Sequence, residues 1–215
     1  MNIEWPGVLD PTMLHTSYVS AVDALADAAK GGRWDDVLRL LDSADNLSPN
    51  QWRIGGRSWF TPLHQAAWLG APLQVVEDLV ARGAWRSLRN ADGDRPIDIA
   101  RKQGHNHVVE ALSVRESGGQ AQRKFAAWDQ RLAELIAERT QGFEPVKTRP
   151  VPTEIIALEQ IENLWFGYPG MYGGFNMSMY KDRLFVESWC RVVSGSGQAH
   201  VITEGGCVLV EEGFV

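Results

Sequence analysis

Apolar positions along this chain follow two different periods. Through roughly the first two thirds they recur every three or four residues, the spacing of a helix that buries one face. Val37, Leu40 and Leu41 predict a helix over 35–41, and Val75, Val76, Leu79 and Val80 predict one over 73–81. Val108, Val109 and Leu112 predict a third over 107–112. A longer amphipathic helix is predicted over 121–140, with Phe125, Trp128, Leu132, Leu135 and Ile136 on one face and Arg123, Gln130, Glu134 and Glu138 on the other. Pro145, Pro150 and Pro152 then prevent helix continuation, so 141–153 is expected to be an extended linker.

From residue 154 the period shortens to two. After a short apolar segment at 155–161 and an aromatic, glycine-rich stretch, Phe175, Met177 and Met179 alternate with Asn176 and Ser178, which marks a strand. Further strands are predicted over 184–193, 198–203 and 207–211, separated by Lys181-Asp182-Arg183, by Ser194-Gly195-Ser196-Gly197 and by Glu204-Gly205-Gly206. The implied tail is a small antiparallel meander. About 60 residues bury little core alone, so it is expected to pack on the helical part.

Within the helical region one short pattern repeats. Leu63-x-x-Ala66-Ala67-x-x-Gly70 recurs upstream as Leu25-x-x-Ala28-Ala29-x-x-Gly32 and downstream as Ile97-x-x-Ala100-Arg101-x-x-Gly104. The Leu63 to Ile97 step is 34 residues; the Leu25 to Leu63 step is 38, with the extra length in the polar, glycine-rich stretch 48–56. The middle copy is preceded by Thr61-Pro62-Leu63-His64 and followed by Gly83-Ala84. In the third copy Arg95 stands in place of the Thr and Asp98 in place of the His, while Pro96 remains. Asn90-Ala91-Asp92-Gly93-Asp94 carries the chemistry of a tight reversal.

This pattern resembles the ankyrin repeat, over about residues 18–116. The resemblance implies a short mainly α stack of about three units, the outer two worn, as terminal units are. With the tail, the expected fold class is an ankyrin-repeat stack with a helical cap plus a small antiparallel β module, α+β overall. The expected organisation is an N-terminal extension (1–17), the repeats (18–116), a capping helix (117–140), a linker (141–153) and the β module (154–215). The resemblance also implies that His64 and Thr61 hydrogen-bond locally, and that His105 is structural.

The same resemblance implies which residues would meet a partner. They lie in the turn before each first helix and just past the small-residue pair. In the second unit they are Arg57, Ser58, Phe60, Trp68 and Leu69; in the third, Ala91, Asp92, Asp94, Lys102 and Gln103; in the first, Lys30 and Gly31. Phe60, Trp68 and Leu69 stand out, because large apolar groups at exposed positions are unfavourable unless covered. Either a partner protein or the chain's own tail covers them.

Composition narrows the classes. The 215 residues are 44% hydrophobic, enough for a real core, and carry a net charge of −6. An acidic chain whose basic residues (Arg82, Arg86, Arg89, Arg95, Arg101) are scattered argues against nucleic acid or an anionic membrane as partner. Nine tryptophans are more than a short stack hides easily. Cys190 and Cys207 form no CxxC pair; with no basic, apolar leader at 1–10, a reducing cytoplasmic setting with both thiols free and buried is expected.

Catalytic signals are sparse. No Gly-x-Ser-x-Gly elbow or catalytic-Cys signature is present. The Ser194–Gln198 stretch lacks the Gly-Lys ending of a phosphate loop. His105-x-His107 has no third ligand near it in sequence, so no metal is expected, and no cofactor is implied. Glu187, Trp189 and Arg191 share a strand face at period two, and His200 lies on the next strand. Glu187, Arg191 and His200 would make an acid–base cluster if the register brought them together; otherwise they are polar pairs on a solvated face.

Three readings follow. The first is a non-enzymatic protein that binds another protein through the ankyrin groove, with a bacterial immunity or inhibitor protein acting on a basic toxin as a concrete subtype. The second is a small enzyme or ligand-binding β domain on a repeat scaffold. The third is a self-associating structural subunit, so the oligomeric state stays open.

Overall fold

The computed structural model describes residues 3–44, 46–115, 118–192 and 195–213. The chain is mixed α and β, with seven α-helices and a six-stranded sheet among the described residues. It divides into two compact units: Leu9–Arg115, and Met1–Val8 together with Glu116–Val215.

The first unit is helical: α1 (Thr16–Lys30), α2 (Trp34–Ser43), α3 (Pro62–Leu69), α4 (Leu73–Ala81) and α5 (Pro96–Gln103). Its core forms where small residues let helices approach. Ala28, Ala29, Ala66, Ala67 and Ala100 are all at most 2% exposed, and α3 lies beside both α1 and α5. Leu25, Leu63, Val76, Leu79 and Leu112 fill the space around them. Helix α3 starts where Pro62 supplies a pre-set φ at its first turn. Thr61 and His64 close the cap: the Thr61 N–H donates to His64 Nδ1 at 3.3 Å, and the Thr61 hydroxyl lies 2.8 Å from the same nitrogen. In α5 the Asp98 carboxylate takes the place of that imidazole, accepting from the Arg95 N–H at 3.0 Å. Gly70 and Gly104 end α3 and α5 with φ of +63° and +76°, the left-handed conformation that a Cβ disfavours.

One feature of this unit departs from expectation. Residues 107–112 do not form an α-helix: a 3-10 turn, Asn106–Val108, is followed by further turns, although Val108 and Leu112 are buried. The polar stretch 48–56 is partly built into the fold. Asn50 and Trp52 are buried, and Asn50 clamps the next turn by donating to Gly83 O (2.8 Å) and accepting from the Trp85 N–H (2.7 Å). Of the scattered arginines, Arg82 makes a two-pronged pair with Asp42 (2.9 and 3.0 Å), Arg89 donates to Gly93 O, and Arg95 is buried.

The second unit is a sheet with one long helix. Strands β1 (Ile3–Glu4), β2 (Leu164–Tyr168), β3 (Gly173–Tyr180), β4 (Arg183–Cys190), β5 (Ser196–Ile202) and β6 (Cys207–Glu212) lie in the order 1-2-3-4-5-6. The neighbours from β2 to β6 are antiparallel, as a meander requires; β1, from the N-terminal segment, joins β2 in parallel. Alternation puts Leu164, Phe166, Phe175, Met177, Leu184, Val186 and Ile202 inside. Helix α6 (Gly119–Thr140) buries Phe125, Trp128, Leu132 and Leu135. Two of its arginines are anchored on the sheet: Arg131 donates to Thr203 O and Glu204 O, and Arg139 to Ser188 Oγ, Ser196 O and Ser196 Oγ. Residues 141–153 are tied to the N-terminal segment through the Arg149 N–H to Gly7 O (2.7 Å) and the Trp5 Nε1–H to Arg149 O (3.0 Å). A short helix, α7 (Glu154–Leu158), covers β3. The thiols are free but not buried: Cys190 is half-buried and Cys207 exposed. Residues Val193 and Ser194 of the expected strand end and turn lie outside the described residues, as do Glu116 and Ser117 at the expected repeat and cap boundary.

The cap at α3 is testable. Thr61→Ala should lower the unfolding free energy by about 1 kcal/mol, and Thr61→Ser by much less. Urea midpoints indistinguishable between Thr61→Ala and the parent chain would show that the cap does not hold α3.

Candidate functional site

The expected contact residues of the helical unit take distinct positions. Trp68 and Leu69, at the end of α3, are 49% and 44% exposed. The reason is helical geometry: Leu63, Ala66 and Ala67 occupy the inward stripe, and the next two positions turn away from it. Phe60 is half-buried and meets the Trp68 ring edge-on, with centroids 6.3 Å apart; on its other side it meets His64 at 5.6 Å. Leu73, which opens α4, adds a further exposed apolar side chain at 42%. Sequence periodicity misses it, because it precedes the residues of α4 that reach the core.

The pre-helix turns lie next to each other. The Ala91 N–H donates to Ser58 O at 3.0 Å, and the Asn90 side chain accepts from the Asp92 and Asp94 N–H groups, closing the expected reversal. Asp94 and Lys102 form an ion pair with Nζ and Oδ2 2.5 Å apart, and the hydrogen bond that Lys102 donates to Asp94 raises the lysine pKa. Arg57 and Gln103 are exposed. Trp59, inside the same turn, has a φ of +53°. For a bulky side chain that conformation is strained by about 1–2 kcal/mol.

Two histidines of this unit meet backbone carbonyls, while the exposed His15 lies against Ser17 Oγ. His105 Nδ1 lies 3.0 Å from Ala67 O, with its ring against Gly70, where any Cβ would come within 2.8 Å of it. His107 Nε2 lies 3.0 Å from Ala71 O. Among the described residues no group of three or more His, Cys, Asp or Glu gathers in a way that could hold a metal ion.

The register separates the acid–base trio of the sheet unit. Val186 pairs with His200, and Glu187 with Ala199, so the carboxylate and the imidazole emerge on opposite faces. The pairing offset of the two strands, which sequence alternation does not reveal, decides this. Glu187 instead accepts a hydrogen bond from Asn176 Nδ2 at 3.1 Å. Arg191 lies beyond the end of β4 and is exposed, its N–H donating to Met171 O. His200 is 8% exposed and faces α6. A cleft in this unit of about 220 Å³ is lined by Leu132, Ile136, Val151, Phe166 and Tyr168, with Asp129 and Arg149 among its polar groups. That is below the ~300–1,000 Å³ typical of small-molecule sites. Burial pushes the Arg149 guanidinium down to about 10 and raises the Asp129 carboxyl, which accepts from the Thr153 N–H at 2.7 Å.

No known protein-family model matches the chain. No helix among the described residues is long and apolar enough to cross a membrane.

His200 supplies a pH-dependent readout. Burial first, and then the Arg139 charge, hold its pKa below the ordinary 6.5. The unfolded chain therefore binds its proton first as the pH falls, so the stability present above about pH 6.5 declines below it. Urea midpoints measured at about pH 7.5 and about pH 5.5 should fall with pH in the parent chain and fall less in His200→Gln. Glu187→Gln should leave the NMR titration of His200 unchanged; a shift of that titration would place the two groups on one face.

Proposed function

We propose that the helical unit is a short ankyrin-type stack that binds another protein, and that the chain acts as a binding protein rather than an enzyme. The observation that carries this reading is the exposure of Trp68 and Leu69, with Leu73, on rigid helix ends. A solvated tryptophan and two leucines close together in sequence are unfavourable on a surface with no partner, and tryptophan is a favoured interface anchor. The aligned glycine helix ends at Gly70 and Gly104 and the Thr61–His64 cap support the repeat assignment. The strained Trp59, which precedes Phe60, supports a contact role for that turn.

Charge does not select the partner of this unit. Carboxylates outnumber Lys and Arg only 13 to 12 in Leu9–Arg115, against 14 to 9 in the sheet unit. Apolar contact is therefore the main attraction here, with Arg57, Asp94, Lys102 and Gln103 as its polar rim. An inhibitor or immunity role, in which the chain sequesters its target, is the concrete form of this reading.

The test is a comparison of affinity-purified parent and Trp68→Ala chains by quantitative mass spectrometry, followed by titration of the recovered partner. Trp68→Ala should weaken binding by about 2 kcal/mol, about 30-fold. Its folding stability should stay within about 0.5 kcal/mol, because the side chain is exposed. Undiminished capture of the same partner by Trp68→Ala and Phe60→Ala would assign the contact elsewhere.

A further inference from the structure

The sheet unit presents a surface that this proposal does not use. Strand β6 ends the sheet, and no further strand pairs with it among the described residues. All six of its residues are exposed, including Val208 (60%), Leu209 (45%) and Val210 (52%). The backbone N–H and C=O groups on its outer side form an open template for another strand. The ladder to β5 is regular from Cys207 to Leu209 and then shifts register, leaving Val210 as the extra residue. The apolar side chains project from both faces of the edge, and burial on either face needs an added neighbour.

The charges around this edge share one sign. Glu211 and Glu212 lie on the strand and Glu204 in the turn before it. Glu134 and Glu138 lie on α6, close enough that both, after burial, raise the Cys207 thiol pKa. The nearest arginines are committed inward: Arg131 to the carbonyls of Thr203 and Glu204, Arg139 to Ser188 and Ser196. Glu212 and Glu134 accept hydrogen bonds from the neutral amides Gln198 and Gln130. A second copy of this chain pairing edge to edge would bring another set of glutamates against the first, which like-charge repulsion opposes.

We infer that β6 accepts an extended segment of a basic protein, whose apolar side chains alternate with Lys or Arg, as an added strand of the sheet. Backbone hydrogen bonds supply the attachment, Val208, Leu209 and Val210 supply apolar contact, and the five glutamates select the cationic side chains. This surface belongs to the sheet unit and uses none of the groove residues, so it stands or falls independently of the groove.

The experiment titrates the full chain against a fluorescent peptide of about eight residues alternating Val and Lys, and against its Val and Glu counterpart, by anisotropy. The Lys peptide should bind saturably and the Glu peptide should not. Its affinity should drop at least about tenfold between about 50 and about 300 mM salt, since these charges are solvent-exposed. Leu209→Lys should abolish binding of the Lys peptide. The double variant Glu211→Lys, Glu212→Lys should weaken binding of the Lys peptide and strengthen binding of the Glu peptide, a gain that misfolding cannot mimic. Trp68→Ala should leave the peptide affinity unchanged. The inference is overturned by absent or equal binding of the two peptides, by an unaltered preference in the double variant, or by a concentration-dependent dimer of the parent chain that excludes the Lys peptide.

Discussion

The close contact of alanines between α1, α3 and α5 is the constraint from which the helical unit follows. With Ala28, Ala29, Ala66, Ala67 and Ala100 at the crossing points, the helices approach until almost nothing between them is exposed. Larger side chains there would force the helices apart and open voids around Leu63 and Leu79, and well-packed cores tolerate such changes poorly. The same contact fixes what must face outward. A helix eight residues long that commits Leu63, Ala66 and Ala67 inward has no room to bury Trp68 or Leu69 as well. The exposed apolar surface is thus a geometric consequence of the packing, and it is the surface to which we assign the proposed binding.

The sheet unit meets a different demand. Its inner face is apolar along β2 and β3 and through Leu184, Val186 and Ile202 of β4 and β5, and has to be covered. Helix α6 provides Trp128, Leu132 and Leu135 for that purpose, and its arginines tie the helix to the strand ends. Coverage stops short of β6, whose residues are all exposed. His200 sits at this transition, inside but near the margin, and the register shift between β5 and β6 occurs beside it.

Much of this was legible in the chain. The bounds of α4 match the predicted 73–81, and α6 and strands β3 to β6 fall close to the predicted segments, because each has a sustained period and clear breakers around it. Strand β2 was less legible: Leu164, Trp165, Phe166, Gly167 and Tyr168 carry apolar or aromatic residues on both faces, so period two is masked. Strand β1 has two residues and no period at all; only its parallel pairing with β2 defines it. Residues 107–112 had helical spacing but form a 3-10 turn and further turns. Of the candidate site, Phe60 was readable by its place just before a repeated motif and Trp68 and Leu69 by theirs just past its small-residue pair, whereas Leu73 and the strained Trp59 carried no such mark.

The sequence by itself determined the local elements: where helices start at Thr61-Pro62 and Arg95-Pro96, where Gly70 and Gly104 stop them, and which residues alternate in the tail. These depend on backbone conformation and on neighbours within a few positions. Only the tertiary structure decided which elements share a core. It joined residues 1–8 to the sheet, buried Asn50 against the 83–85 turn, and set Glu187 and His200 on opposite faces of one sheet. Those outcomes depend on long-range pairing, in which a one-residue offset reverses a face, and no local pattern encodes that offset.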